Sequence, residues 1–191
     1  MTEMLLSDEC GQYDSALVEI MCAAIRQSST GEPPSGRATS KRAAKDLKQI
    51  QEDRTRISEV LIPTMARLLN RHIDDRDKIA NLTTIPQYFI LELYPTARMM
   101  KYLDELVIAL QRVVEQHFDD EILSNIAVTF LTFHNNIAVE QHISSARAQM
   151  LDHLAVSLKR SLQLFERGHA LDEQDEAQML NGFRKINAFI A

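Results

Sequence analysis

The stretch TTIPQYFILELYPTARMMKYLDEL, residues 83–106, decides the fold class, because it alone has the composition of a buried strand. In a strand, Phe89, Leu91 and Leu93 would share one side of the sheet. A strand also needs a partner, since unpaired buried backbone N–H and C=O groups are costly, and no second segment of the sequence has strand character. We therefore predict that the residues between Pro86 and Pro95 are helical or irregular and connect longer helices.

Composition favours the same fold class. The chain has 191 residues, 45% hydrophobic and 25% charged, with only 5 glycines and 5 prolines. So few turn residues are unusual for an all-β or loop-rich protein. A single domain of this length buries roughly 70% of the surface of its unfolded chain. The sequence therefore predicts an all-α protein with a substantial core.

Apolar residues recur at spacings of three and four along almost the whole chain, which is the period of amphipathic helices. The longest continuous stripe is predicted for the helix that starts near Thr96, at Met99, Leu103, Leu106, Val107, Leu110, Val113, Val114 and His117. Pro63 predicts a break after Ile62 and a new helix starting at the proline, because a proline beyond the first turn of a helix costs about 3 kcal/mol. Residues 28–40, SSTGEPPSGRATS, contain two glycines and two prolines and are predicted to form an exposed loop. About seven or eight helices are predicted, beginning near Asp14 or Ser15, Lys41, Pro63, Asp75, Thr96, Asp119 or Asp120, Ser144 or Ser145, and Asp172. The acidic residues at these starts are expected to cap their helices.

Short connections between consecutive helices predict antiparallel hairpins, and stacked hairpins are typical of α-solenoids of the HEAT type. No repeat is visible at the level of residues, so a closed helical bundle stays open as an alternative. The last predicted helix carries apolar residues to its end, INAFIA at 186–191, without a stop signal. We therefore expect residues 1–191 to form a single helical segment of a longer HEAT-type protein.

The sequence carries no sign of export or membrane insertion. Its first residues lack a basic start followed by an apolar run, and no window reaches about 18 consecutive apolar residues. Two cysteines, Cys10 and Cys22, are too few for a disulfide framework. We expect a soluble intracellular protein with reduced thiols and no membrane partner.

Four segments of the sequence resemble one known family and occur in that family's order. They are LVEIMCAAIRQS at 17–28, PPSGRATSKR at 33–42, QEDRTRISEVL at 51–61 and DDRDKIANLTTIPQYFILELYPTARMMKYLDEL at 74–106. Together they resemble the stromalin family, the SA or STAG subunits of cohesin. The resemblance covers residues 17–189 and is closest over residues 37–110.

The resemblance implies a fold, a role and a location. Stromalins are large HEAT-repeat proteins, bent into a hook that holds the kleisin subunit of the cohesin ring. They contact DNA and support sister-chromatid cohesion, and they are not enzymes. By this resemblance the chain is a central part of such a hook, in the nucleus on chromosomes. Its partners would be the kleisin subunit, the cohesin ring and chromatin.

A local excess of basic residues lies in a chain that is acidic as a whole. Seven basic residues and three acidic ones lie between Arg37 and Arg56, whereas the net charge of the chain is −6. Such an excess can neutralise DNA phosphates, and no aromatic residue is interleaved for base stacking. A solvated helix face beside a loop is the competing interpretation. The candidate DNA-backbone contacts are Arg37, Lys41, Arg42, Lys45 and Lys48.

No sequence motif for catalysis, cofactor binding or metal ligation is present. There is no glycine-rich phosphate loop and no GxSxG, and the six histidines are scattered along the chain. We predict a non-catalytic scaffold with no cofactor and no small-molecule substrate. The first hypothesis is a cohesin stromalin segment. The second is a generic helical adaptor that binds a partner helix in an apolar groove.

Overall fold

The computed structural model describes residues 2–7, 11, 13–32, 44–166 and 173–190, with side chains except at 44–46 and 164–166. Within these residues the chain forms ten α-helices and one 3₁₀ turn, and no strand. The all-α prediction is confirmed, with more helices than expected because α1 and α6 are too short to show a period. The helices are α1 (Thr2–Leu6), α2 (Asp14–Thr30), α3 (Ala44–Leu61), α4 (Met65–Arg71), α5 (Arg76–Leu82), α6 (Leu93–Thr96), α7 (Met100–Gln116), α8 (Asp120–His134), α9 (Glu140–Glu166) and α10 (Glu173–Ile190).

The stretch that could have been a strand is a connector, as predicted. It folds as the 3₁₀ turn at Pro86–Tyr88 followed by α6. Ser58 Oγ on α3 accepts a hydrogen bond from the backbone N–H of Ile90 at 2.9 Å. Arg54 Nε and Nη2, also on α3, each lie 3.3 Å from the carbonyl oxygen of Tyr88. Side chains of α3 therefore satisfy the backbone groups for which a strand would need a neighbouring strand.

The long helix α7 begins at Met100 and not at Thr96 as predicted. Arg98 has a φ of 56°, in the left-handed region, which a right-handed helix cannot contain. This residue separates α6 from α7. The predicted apolar stripe of α7 is buried in the core, at Leu103, Leu106, Val107, Leu110, Val113 and Val114.

Two other predicted helix starts are wrong by a few residues. The break after α3 is confirmed, but Pro63 lies in the intervening turn and α4 begins at Met65. The helix predicted from Ser144 or its neighbour begins earlier, at Glu140. Asn136 explains this early start, because its carbonyl oxygen accepts from Glu140 N at 2.9 Å and its side-chain oxygen from the N–H of residue 138 at 3.0 Å.

The loop predicted at 28–40 begins later than expected. Residues 28–30 are the last turn of α2, where Thr30 Oγ1 donates to Arg26 O at 2.8 Å and accepts from Glu32 N at 3.2 Å. Gly31 follows with a φ of 64°, the left-handed helix cap that glycine adopts without strain. Residues 33–40 lie outside the described residues, so a loop there stays a prediction.

Acidic residues at helix starts were predicted to act as caps, and Asp75, Asp119 and Asp14 differ in this respect. Asp75 precedes α5 and its Oδ1 accepts from Lys78 N at 3.1 Å, which is a cap bond. Asp119 precedes α8 but makes no cap bond, because its Oδ1 accepts from Arg76 Nε at 2.7 Å and so ties α5 to α8. Asp14 is the first residue of α2 and is buried.

Helices α7–α10 stack in two layers. Asp104 Oδ1 lies 2.5 Å from His142 Nε2, and farther along both helices Glu115 Oε1 lies 3.4 Å from His153 Nδ1. The two pairs occur in the same order, so α7 and α9 run parallel in one layer. Helix α8 packs against both α9 and α10 and forms the second layer with α10. Consecutive antiparallel helices that alternate between layers form a HEAT-like α-solenoid segment, which is the predicted fold.

One continuous core runs from α1 to α10. It includes Leu5 of α1, Tyr94 of α6, Phe133 of α8 and Phe189 of α10, each at most 3% exposed. Phe189 is the one fully buried residue among those described in α10, where Phe183 stays 52% exposed. Helix α10 therefore buries fewer of its described side chains than the other long helices do.

Candidate functional site

The predicted DNA contacts lie only partly within the described residues. Outside them lie Arg37, Lys41 and Arg42. Lys45 lies in α3, where its side chain is not described. The side chain of Lys48 is 81% exposed, with Nζ 3.7 Å from Glu52 Oε1. Because an exposed pair of this kind contributes little stability, Lys48 stays available to another anion.

Not every basic side chain of this stretch faces solvent. Arg54 is half-buried and donates to the carbonyl of Tyr88, so its charge supports the connector. Arg56, two residues farther along α3, is exposed. Of the basic side chains that the structure describes in this stretch, Arg54 is therefore engaged by the connector.

A groove with a volume of about 700 Å³ runs between α7 and α9, and we call it the α7/α9 groove. Ile108 and Ile137 line it and are 51% and 93% exposed. The amide of Gln111 and the Asp104–His142 pair lie on its walls. Large exposed apolar side chains beside hydrogen-bonding groups are typical of a surface that binds another protein.

A second groove, of about 450 Å³, lies between α8 and α10 in the other layer, and we call it the α8/α10 groove. Phe130 and Phe189 line it, with ring centroids 6.1 Å apart in an edge-to-face arrangement. Leu131 lies at its rim and is 59% exposed. Two arginines, Arg147 and Arg184, also line this groove.

A third concavity, of about 520 Å³, lies where α9 and α10 meet the end of α7. Lys185 Nζ donates to the carbonyl oxygen of Glu115 at 2.7 Å. That carbonyl belongs to the last turn of α7, where a positive charge stabilises the helix end. Burial lowers the pKa of Lys185, and the charge of Glu115 opposes that shift. The lysine therefore joins α10 to α7.

Several histidines make structural contacts. His117 Nε2 lies 2.6 Å from Ile73 O, and His134 Nδ1 lies 2.9 Å from Ser144 Oγ. His72 is 6% exposed, and burial followed by the charge of a nearby lysine lowers its pKa. In the part of the chain that the structure describes, no group of three or more His, Cys, Asp or Glu side chains is placed to hold a metal ion. Over the same residues, no helix combines the length and apolar character that a membrane crossing requires.

The two grooves are the functional candidates that sequence reasoning missed. Ile108 interrupts the polar face of α7, off the buried stripe, and Leu131 does the same on α8. Apolar residues that lie off the buried stripe were the sequence signal that could have indicated these grooves. Which helix lies beside each of them depends on tertiary packing and cannot be read from spacing.

The chain matches known proteins over almost its whole length. Residues 1–191 match the family model described as "Cohesin subunit SCC3/SA, HEAT-repeats domain". The chain is 32% identical over 200 residues to cohesin subunit SA-1 of Xenopus laevis, covering 99% of this chain and 16% of that protein. It is 33% identical over 195 residues to cohesin subunit scc-3 of Caenorhabditis elegans, covering 99% and 18%.

A third relative is cohesin subunit SA-3 of Mus musculus, 31% identical over 195 residues, with 99% of this chain and 16% of that protein covered. The chain thus spans less than a fifth of the length of these relatives. The stromalin resemblance found in four short segments therefore extends over the whole sequence. The chain belongs to the SCC3/SA family of cohesin subunits, within the HEAT-repeats domain of that family.

Proposed function

We propose that this chain is part of a non-catalytic cohesin scaffold that holds the kleisin subunit and supports association of the cohesin ring with chromatin. The observation that carries the proposal is the family match over residues 1–191. Sister-chromatid cohesion, in the nucleus and on chromosomes, is the process that such a scaffold serves. The two-layer stack suits the role, because it presents long grooves between parallel helices.

The α7/α9 groove is the surface that we assign to the kleisin. Ile108 and Ile137 project into it with half or more of their surface exposed. A partner helix that covered both isoleucines would remove this apolar area from water, at about 25 cal/mol for each Å² buried. The amide of Gln111 on the groove wall can meet polar groups of such a helix.

Retention of a purified kleisin fragment on the immobilised protein tests this assignment. Ile108→Asp places a charge in the α7/α9 groove, and we expect it to abolish retention. Val156→Asp is the matched control, because Val156 is an exposed apolar residue of α9, 48% exposed, that does not line the groove. Equal retention by both variants would remove the assignment, and no retention by the unmodified protein would remove the kleisin proposal.

The DNA contact rests on the basic stretch alone. Charge reversal at Lys41, Arg42 and Lys45 should weaken binding to duplex DNA and reduce the salt dependence of the affinity by about 0.9 in slope for each phosphate that is no longer neutralised. Charge reversal at three exposed residues elsewhere, Arg67, Lys159 and Arg160, is the charge-matched control. Unchanged affinity and slope in the first variant would show that the stretch is a solvated face.

A further inference from the structure

The α8/α10 groove combines a rigid apolar floor with an exposed apolar rim. Phe130 and Phe189 form the floor, and both are at most 3% exposed. Val128 and Leu131 lie on the rim and are 43% and 59% exposed. The volume of about 450 Å³ is enough for one large side chain and its neighbours in a bound segment.

One guanidinium in this groove is held in place by the protein backbone. Arg147 Nε lies 3.1 Å from the carbonyl oxygen of Phe189, and Arg147 Nη2 donates to the same oxygen. Nη1 has no hydrogen-bond partner among the described residues. An arginine oriented in this way loses little side-chain freedom when it binds a carboxylate through its remaining donors.

The charge of the groove is positive. Arg184 on α10 is exposed, lines the groove, and pairs with no carboxylate among the described residues. Asp120 is the one acidic residue on the walls, and His134 is hydrogen-bonded to Ser144. Two guanidiniums and a single carboxylate around an apolar floor complement a ligand that is apolar and negatively charged.

We propose that the α8/α10 groove binds a short acidic segment of a partner protein, anchored by an aromatic or large aliphatic side chain. The anchor lies on the Phe130 and Phe189 floor, and a neighbouring carboxylate meets Arg147 and Arg184. This inference goes beyond the kleisin and DNA contacts, because it concerns the opposite layer of the stack and a different partner chemistry. Nucleic acid does not suit the floor, which offers buried rings with no exposed face for stacking a base.

Fluorescence anisotropy with labelled peptides tests the proposal. The probes are short peptides with a central Phe or Leu flanked by aspartates, together with matched peptides in which the aspartates are asparagines or the anchor is alanine. We expect the acidic peptides to bind, and each replacement to weaken binding by about tenfold or more. Methyl signals of Val128 and Leu131 should shift on binding, and the methyl signals of Ile108 should not.

Two exposed positions provide variants that do not disturb the core. Leu131→Asp and Arg184→Glu should each lower the affinity for the acidic peptide by about tenfold. Ile108→Asp in the other groove and Arg160→Glu on the outer face of α9 are the matched controls and should leave binding unchanged.

Four results would overturn the proposal. They are binding by none of the acidic peptides, equal affinity of the asparagine peptides, loss of binding in Ile108→Asp, and self-association of the protein that Leu131→Asp abolishes. The last result would show that a second copy of the chain occupies the groove. Failure of the unmodified protein to retain the kleisin, with peptide binding intact, would remove the kleisin proposal and leave this one standing.

Discussion

Replacement of Ser58 by alanine tests how the connector at 83–106 is held. Ser58 is 0% exposed, and its hydroxyl donates to Arg54 O at 2.7 Å and accepts from Ile90 N at 2.9 Å. Alanine leaves the Ile90 N–H without its partner, which costs about 1–3 kcal/mol. The higher helix propensity of alanine offsets about 0.5 kcal/mol of this cost. We therefore expect the free energy of unfolding to fall by about 0.5–2.5 kcal/mol.

Urea unfolding followed by circular dichroism measures this change, and hydrogen exchange of the Ile90 amide reports the local effect. Thr55→Ala is the matched control, because Thr55 lies on the same helix and its Oγ1 donates to Gln51 O at 2.9 Å without contacting the connector. The control should change the free energy of unfolding by less than about 0.5 kcal/mol. Equal stability of the two variants, or unchanged exchange at Ile90, would refute the role given to Ser58.

Three other predictions concern the core and its buried polar groups. Leu106→Ala should lower the free energy of unfolding by about 2–5 kcal/mol, because Leu106 is 1% exposed, whereas Ile108→Ala, at 51% exposure, should cost less than about 1 kcal/mol in the same urea titration. Tyr94→Phe should raise the unfolding temperature, because the buried Tyr94 hydroxyl has no hydrogen-bond partner among the described residues. Removing that hydroxyl relieves about 1 kcal/mol or more of desolvation cost. A lower unfolding temperature would show that the hydroxyl has a partner. Burial lowers the pKa of His72 below 6.5, so as the pH falls the unfolded chain binds a proton at this residue before the folded protein does. The free energy of unfolding should therefore fall as the pH drops from 6.5 to the folded-state pKa. In urea titrations across that pH range, His72→Gln should flatten this dependence.

Local sequence signals were enough to predict most of the helices. The apolar stripe at Leu103, Leu106 and Leu110 predicted α7, and the proline at 63 predicted the break between α3 and α4. The boundaries that were missed depend on single backbone conformations. Arg98 adopts a left-handed conformation that its residue type does not indicate, so the start of α7 could not be placed from sequence.

Contacts between distant residues account for what the sequence could not predict about the site. Arg54 and Arg147 are ordinary surface residues by sequence, yet each donates to a backbone carbonyl far along the chain, at Tyr88 and Phe189. Asp119, one of the two residues predicted to cap α8, instead pairs with Arg76 on α5. The grooves arise from the same long-range packing, whereas family membership was visible in short segments. Two of these, 51–61 and 74–106, contain the supporting helix and the connector.

We propose that this protein holds the kleisin within the cohesin complex, and affinity purification of the tagged protein from nuclear extract tests that claim most directly. Quantitative mass spectrometry of the purified material measures the ratio of kleisin to tagged protein. We predict that the kleisin and the other ring subunits are recovered in near-equal amounts with the tagged protein. Recovery of the tagged protein without the kleisin, in an extract where the cohesin ring itself is intact, would contradict the claim.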